Sequence, residues 1–318
     1  MDRRGLENDL MKKRYRFVTQ KFKSHCGGVI TPEIASKAVM PRRTDMHKGD
    51  CGRLLIWAGS PGLTGAAVMA SQSALKSGAG LISLICAKEL NTIFEIRLTE
   101  VMTVPLEGKN GIVTFDQYEK IKEHMQKSDA FLIGPGLSQT DGIRDILKKI
   151  IRDSETALII DADGINIISK NINILSEAHC PVIMTPHIGE FARLCGRDTE
   201  YVMQNRDRLG LDFAKKHNVF LTVKSHETTV YSPDGKISKN ILGNPGMATG
   251  GSGDVLAGIT ASLAAQGNDP YTALCSAVFL HSAAADMAEL EYGAYSLTPT
   301  DIINTLPYAI KETSENNF

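Results

Sequence analysis

From residue 53 onward the chain alternates short apolar runs with longer segments in which apolar side chains recur every three to four positions. Short apolar runs bounded by glycine, proline or aspartate read as buried strands, and segments of 3.6 periodicity read as helices with one buried stripe. The pattern predicts strands over 53–58, 81–86, 101–106, 130–133, 157–160, 182–184, 219–223, 228–232 and 236–240. It predicts helices over 66–77, 92–98, 115–126, 141–151 and 201–217, then two Ala-rich helices over about 254–266 and 270–290. A short helix opens at Thr31-Pro32-Glu33, where proline suits the first turn. The first strand, the loop 59–65, the next helix and the second strand make a βαβ unit. Apolar strands alternating with helices argue for an α/β fold with a mostly parallel central sheet covered on both faces. The turn Pro233-Asp234-Gly235 adds a late antiparallel hairpin. No repeat, linker or low-complexity segment divides the chain, so one domain is expected over 29–318, preceded by an N-terminal extension over 1–28.

Gly243 to Gly258, GNPGMATGGSGDVLAG, departs from this alternation with six glycines, one proline and a single acid, Asp254. It runs into the apolar pattern Val255, Leu256, Ile259, Leu263. A glycine loop opening onto a helix presents free N–H groups and the positive end of a dipole, and so binds anions. Asp254 reads as a helix cap, a catalytic base, or both. As a base it is expected to be weak, because a helix N-terminus stabilises the carboxylate. Polar groups also follow the predicted strands at Thr64-Gly65, Gly134 to Gly136, Asp161 and Asp163, His187 and Glu190, and Lys224. In a parallel sheet those ends share one edge, where such folds place their ligands. Each has a plainer reading: Asp161 and Asp163 as helix caps, His187 as a loop histidine bonded to backbone, Glu190 as a complement to a helix dipole, Lys224 as an ordinary strand-end lysine.

The P-loop sequence GxxxxGK[ST], HExxH and GxSxG are absent, and both Gly-x-Gly pairs, at 134–136 and 251–253, lack the third glycine of a dinucleotide fingerprint. What remains is a loop-and-helix anion hole with one carboxylate, the minimum for phosphoryl transfer to a hydroxyl. A net charge of −1 over 318 residues gives no pull toward nucleic acid or an anionic membrane. Six scattered cysteines (26, 51, 86, 180, 195, 275) read as reduced thiols of a cytoplasmic protein. No unbroken apolar run approaches transmembrane length, and the basic N-terminus lacks the apolar core of a secretory signal. That N-terminus is expected to be a disordered tail or a helix docking on another subunit.

The stretch Gly246 to Gly258 resembles the C-terminal hallmark of the NAD(P)H-hydrate dehydratases, members of the ribokinase-like superfamily. His47-Lys48-Gly49-Asp50, Gly59-Ser60 through Gly65-Ala66, Gly78-Ala79-Gly80, Gly134-Pro135-Gly136-Leu137, Asp161-Ala162-Asp163 and Thr185-Pro186-His187-Ile188-Gly189-Glu190 fit the same family in order. The resemblance spans roughly residues 30–306 and implies a ribokinase-like three-layer sandwich. It implies a hydro-lyase that uses a nucleoside phosphate to phosphorylate the ring hydroxyl of the S form of hydrated NADH or NADPH, after which phosphate leaves. Ala66, Gly136 and His187 would then contact the hydrated dinucleotide, and Asp254 would take its hydroxyl proton. Lys224, Ser225, His226, Glu227, Thr228 and Gly253 would hold the adenine nucleotide, and Gly250, Gly251 and Gly253 the transferred phosphoryl group. Mg²⁺ is expected, with Glu190 orienting its waters. The family often has Lys-Gly where this chain reads Lys224-Ser225, which puts one backbone contact in doubt. ADP is the expected co-substrate, with ATP the alternative. The resemblance further implies a homotetramer and, with no room for a fused epimerase domain in this sequence, a separate epimerase acting upstream. A vitamin-precursor or sugar kinase of the same superfamily is the alternative activity, and a non-catalytic nucleotide-binding subunit the alternative class.

Overall fold

The computed structural model describes residues 3–24, 28–39 and 41–315. Helix α1 (Arg3–Thr19) and the single turn α2 (Pro32–Ser36) precede β1 (Arg53–Trp57), α3 (Thr64–Lys76) and β2 (Leu81–Ala87). Helix α4 (Asn91–Arg97) leads to β3 (Met102–Leu106), and a small ribbon of β4 (Gly108–Lys109) and β5 (Ile112–Val113) precedes α5 (Tyr118–Met125). Strands β6 (Ala130–Ile133), β7 (Ala157–Ile160) and β8 (Val182–Met184) then alternate with α6 (Asp141–Asp153), α7 (Asp163–Ser169) and α8 (Ile188–Cys195). After α9 (Thr199–Gln204) and α10 (Arg206–His217) come β9 (Phe220–Val223), β10 (Thr229–Tyr231) and β11 (Ile237–Lys239). Three helices close the chain: α11 (Ser252–Ala265), α12 (Pro270–Ser296) and α13 (Pro299–Glu315).

The main sheet has nine strands in the order β11-β10-β9-β8-β7-β6-β1-β2-β3. Strand β10 is antiparallel to both its neighbours, and the other pairs are parallel. Alternate side chains face opposite layers, as the pleat requires. Leu54, Ile56, Ile82, Leu84 and Leu132 pack with α3, α11, α12 and α13, whereas Leu55, Trp57, Ile85, Phe131 and Ile133 pack with α5 to α8 and α10. This is a three-layer sandwich with a core on each side of the sheet. Helix α6 shows how the outer helices are specified. Thr140 caps it through Ile143 N–H, and Ile143, Ile146, Leu147, Ile150 and Ile151 form the buried stripe. Helix α12 is long and apolar enough to cross a membrane by composition alone, but it is a core helix, buried over residues 273–288.

Several elements depart from the sequence pattern, among them α7, α8, β4 and β5, which were not among the predicted strands and helices. The helix expected over 201–217 is two helices: Asp198 caps α9, and Asn205 leaves helical geometry and bonds Tyr201 O through its side chain. Helix α13 had no counterpart; its stripe of Ile302, Ile303, Leu306 and Ala309 is interrupted by Pro307. In the N-terminal extension, residues 3–19 form helix α1. This helix lies on α12 and α13 of the same chain, with Met11, Tyr15 and Val18 buried and Tyr15 hydrogen-bonded to Thr313 at 2.8 Å. Cys26 lies outside the described residues; Cys51, Cys86, Cys180, Cys195 and Cys275 are free thiols.

The pairing of α3 with α11 brings the glycine-rich helix against the sheet. It depends on Gly258, where a Cβ would stand 2.1 Å from the Ala70 carbonyl oxygen. Gly258→Val is therefore expected to lower stability by about 3 kcal/mol or more, read as a fall in the urea midpoint with unchanged slope.

Candidate active site

Strand β1 lies between β6 and β2, so the chain leaves it in one direction and returns on its other side. The loops at the carboxyl ends of β1 and β6 flank this switch point, where open α/β sheets admit ligands. They are tied together: Gly59 N–H donates to Pro135 O at 2.9 Å, and Ser60 Oγ donates to Gly136 O at 2.8 Å. Gly136 has φ +58°, and a Cβ there would lie 3.0 Å from the Ala66 Cβ. Two residues expected at the dinucleotide are thus adjacent. By contrast, His47–Asp50 and Gly78–Gly80 sit at the amino ends of β1 and β2, where a Cβ on Gly80 would strike the Lys48 carbonyl at 2.0 Å. Those motifs shape the opposite edge of the sheet.

Lys224, at the end of β9, is the hub of the next three loops. Its Nζ lies 2.9 Å from Asp161 Oδ1, which also accepts a 2.8 Å hydrogen bond from Thr185 Oγ1. Its backbone N–H donates to Pro186 O at 2.8 Å. The same ammonium stands 3.1 Å from where a Cβ on Gly253 would be, so the lysine reaches into the glycine loop. Burial works against its charge, but Asp161, Glu190 and Asp254 outweigh it and leave the pKa above the ordinary lysine value. The lysine side chain therefore faces the carboxylates rather than the outer hairpin loop. Asp161 is not a cap: the N-cap position of α7 is Ala162, which has φ +48° and makes no side-chain capping bond. Asp163 is committed elsewhere, accepting from Ser138 N–H and the Gln139 side chain, both at 2.8 Å.

His187 caps α8. Its Nδ1 accepts from Gly189 N–H at 3.0 Å, and Glu190 Oε2 accepts from His187 N–H at 2.8 Å, a reciprocal capping box. Burial, aided by Lys224 and Arg193, pushes the His187 pKa down. Burial raises the pKa of Glu190.

Helix α11 starts at Ser252, with Gly251 (φ +102°) as its N-cap, so Asp254 is the third helical residue and not the cap. A side chain on Gly251 would strike Met69 at 2.5 Å, whereas Gly250 faces open space. The Asp254 carboxylate takes no hydrogen bond from the described residues. Its pKa is raised to about 7, by burial first and by the Asp161 carboxylate second, with Lys224 pulling the other way. This corrects the expectation of a weak base: the helix N-terminus is outweighed by burial and like charge.

Beyond Lys224, residues 225–228 form the turn between β9 and β10. Ser225 Oγ accepts from Arg206 at 2.8 Å, the same guanidinium donates to Glu227 O at 3.0 Å, and Thr228 Oγ1 donates to Ser225 O at 3.0 Å. His226 and Glu227 are exposed. The serine that replaces the usual glycine thus anchors Arg206. Sequence reasoning missed Arg206, and it missed Ser252, which meets the buried His281 at 3.3 Å. The available signal was a histidine and an acid, His281 and Asp286, inside a buried and mostly apolar stretch of helix, since buried polar residues are the informative ones.

The sequence pattern that defines the NAD(P)H-hydrate dehydratases matches residues 54–308. The chain belongs to that family. It is 34% identical over 290 residues to an ADP-dependent (S)-NAD(P)H-hydrate dehydratase of Listeria monocytogenes, covering 91% of this chain and 98% of the relative. It is 37% identical over 281 residues to a bifunctional NAD(P)H-hydrate repair enzyme of Moorella thermoacetica, covering 88% of this chain and 53% of the relative. The chain thus spans about half the length of the bifunctional members it matches. Among solved structures, a ribokinase-like protein of Enterococcus faecalis matches with a TM-score of 0.78 at 30% identity, over 92% of this chain and 99% of that one. The Bacillus subtilis ADP/ATP-dependent NAD(P)H-hydrate dehydratase co-crystallized with ATP/Mg²⁺ matches with a TM-score of 0.77 at 27% identity, over 90% and 98%. The fold of the family member described above is accordingly ribokinase-like.

The Asp254 environment carries a signed consequence for stability. A carboxyl with pKa 3.8 when unfolded and about 7 when folded binds its proton more tightly in the folded state, so stability falls as pH rises through that window. Asp254→Asn removes this penalty. It is expected to be more stable than the parent by about 1–2 kcal/mol at pH 8, with the difference closing as pH falls toward 4, measured by urea unfolding at both pH values.

Proposed function

We propose that this chain repairs the S form of hydrated NADH and NADPH, a nucleotide-dependent hydro-lyase reaction with ADP favoured over ATP. The observation that carries the reading is the Asp254 carboxylate: unbonded, half-buried, tuned to about 7, and one residue beyond a glycine loop that opens a helix. Asp254 accepts the proton of the ring hydroxyl as that oxygen attacks the terminal phosphoryl group. The N–H groups at Gly250, Gly251 and Gly253 hold the phosphoryl oxygens. Once the hydroxyl is a phosphate ester, the C–O bond breaks with phosphate as leaving group, a ring C–H proton is lost, and the double bond returns. Water is thereby removed at the expense of the nucleotide's phosphoanhydride. Ala66 and Gly136 at the switch point, with His187 from the β8 loop, take the hydrated dinucleotide, and the backbone of Lys224 to Thr228 with Gly253 takes the adenine nucleotide.

The donor set is compatible with Mg²⁺. The described residues contain no cluster of three metal-ligating side chains, and Mg²⁺ commonly keeps several waters and binds largely through substrate phosphates. Glu190, with a buried carboxylate, would orient those waters, and the cation would neutralise phosphate charge. We further propose a cytoplasmic homotetramer served by an epimerase that converts the R hydrate.

The test is recovery of dihydronicotinamide absorbance from hydrated NADH with ADP, with ATP and with neither. Recovery is expected with nucleotide only, fastest with ADP, and without a lasting phosphate ester. An accumulating ester, or no recovery with either nucleotide, contradicts the reading. The rate is expected to fall as pH drops below about 7, where Asp254 protonates, and Asp254→Asn is expected to lose about 10²- to 10⁴-fold in kcat.

A further inference from the structure

Within the glycine-rich loop, Met247 N–H donates to Asn244 O and Ala248 N–H to Pro245 O, both at 3.1 Å, while Gly251 is left-handed and Gly250 faces open space. A further restraint comes from helix α12. At the downstream end, His281 Nε2 meets Ser252 Oγ at 3.3 Å, both groups buried. At the upstream end, Asp286 accepts from Gly243 N–H at 3.1 Å through Oδ2 and from Asn244 Nδ2 at 3.0 Å through Oδ1. The Asn244 side chain in turn accepts from Gly246 N–H at 3.0 Å. Between them, Ser282 Oγ accepts from Asn240 Nδ2 at 2.9 Å, just ahead of the loop. These polar side chains sit in a helix whose other buried residues over 273–288 are almost all apolar. Buried polar groups are costly unless paired, and the partners of these three are in the glycine loop or its approach, apart from Lys21, which meets Asp286 at 3.5 Å.

The chemistry suits a fixed support. Burial, with Lys224 second, pushes the His281 pKa down to about 4, so the ring is neutral and offers one donor and one acceptor. An imidazolium there would repel the Lys224 ammonium. Because His281 and Asp286 belong to one rigid helix, the two ends of the loop are held at a set separation.

We propose that α12 is the positioning element of the anion hole: His281 acting through Ser252, and Asp286 acting through Gly243 and Asn244, aim the loop's N–H groups at the transferred phosphoryl group. The inference rests on the reading of Asp254 and its loop given above. The residues named are positioning residues, so their loss removes transition-state stabilisation rather than nucleotide binding.

The test measures kcat and KM for ADP in the hydrate-repair assay, normalised to folded enzyme by circular dichroism, for Ser252→Ala, His281→Leu, their double variant, His281→Gln and Asp254→Asn. Ser252→Ala and His281→Leu are each expected to lower kcat about 10- to 100-fold, with KM for ADP changed by less than about threefold. The double variant should be no slower than the worse single, because the pair acts as a unit. His281→Gln, which keeps a side-chain nitrogen in reach, should recover most of the loss. Unchanged kcat in folded Ser252→Ala, or single losses that multiply in the double, overturns the proposal. Should His281→Leu fail to fold, Ser252→Ala alone decides, since it removes one hydroxyl only. Normal turnover by Asp254→Asn overturns both this inference and the reading of the site. An inactive Asp254→Asn beside a fully active Ser252→Ala overturns the positioning role alone.

Discussion

A single buried ammonium, that of Lys224, balances the three carboxylates of the site: Asp161, Glu190 and Asp254. Carboxylates that feel one another in a partly desolvated site resist ionising together, and a cation among them offsets that repulsion. Lys224 is bonded to Asp161 at 2.9 Å, and that commitment leaves Asp254 feeling the lysine at a distance while Asp161 repels it. One acid is thereby spent as a structural counter-ion and another is left poised near neutrality. Breaking such a buried pair by removing one partner typically costs about 3–5 kcal/mol, so the arrangement is fixed by stability as much as by chemistry. Burial first, and the same lysine second, push down the pKa of both His187 and His281.

Close backbone approach is the second constraint. Gly134 lets the β6 loop meet the Asp161 carbonyl, where a Cβ would stand at 1.9 Å, and Gly136 lets it meet Ala66. Ala162 holds φ +48° just after Asp161, a sparsely populated conformation for a residue with a side chain, and so turns the chain into α7 while Asp161 stays facing Lys224. The loops of β6, β7, β8 and β9 are therefore a connected layer rather than independent connections. On the other side of the sheet the glycine loop is carried by α11, pressed against α3, with α12 behind it.

Much of this was legible in the sequence. The parallel strands read as apolar runs because both their faces are buried, and 130–133, 157–160 and 182–184 were placed to the residue. The convergence of polar groups on one edge followed from strand polarity. What could not be read was which polar group would be spent on which. Asp161 and Asp163 stand two residues apart in equivalent-looking positions, yet one is a counter-ion and the other pins a neighbouring loop. The Asp254 pKa was misjudged because a local rule, the helix N-terminus, was applied without the burial and like charge that only the fold supplies. The packing of helix α1 on its own chain was not legible because its buried side chains, Met11, Tyr15 and Val18, are too few to stand out from its charged residues.

Burial and the neighbouring carboxylates, not the helix terminus, set the proton affinity of Asp254. The most direct measurement is its titration in the folded chain, by carboxyl ¹³C chemical shift with Asp254→Asn assigning the signal. A midpoint of about 7 is expected, moving lower if Asp161 is neutralised as Asn. A midpoint near the ordinary aspartate value, about 4, would contradict the account.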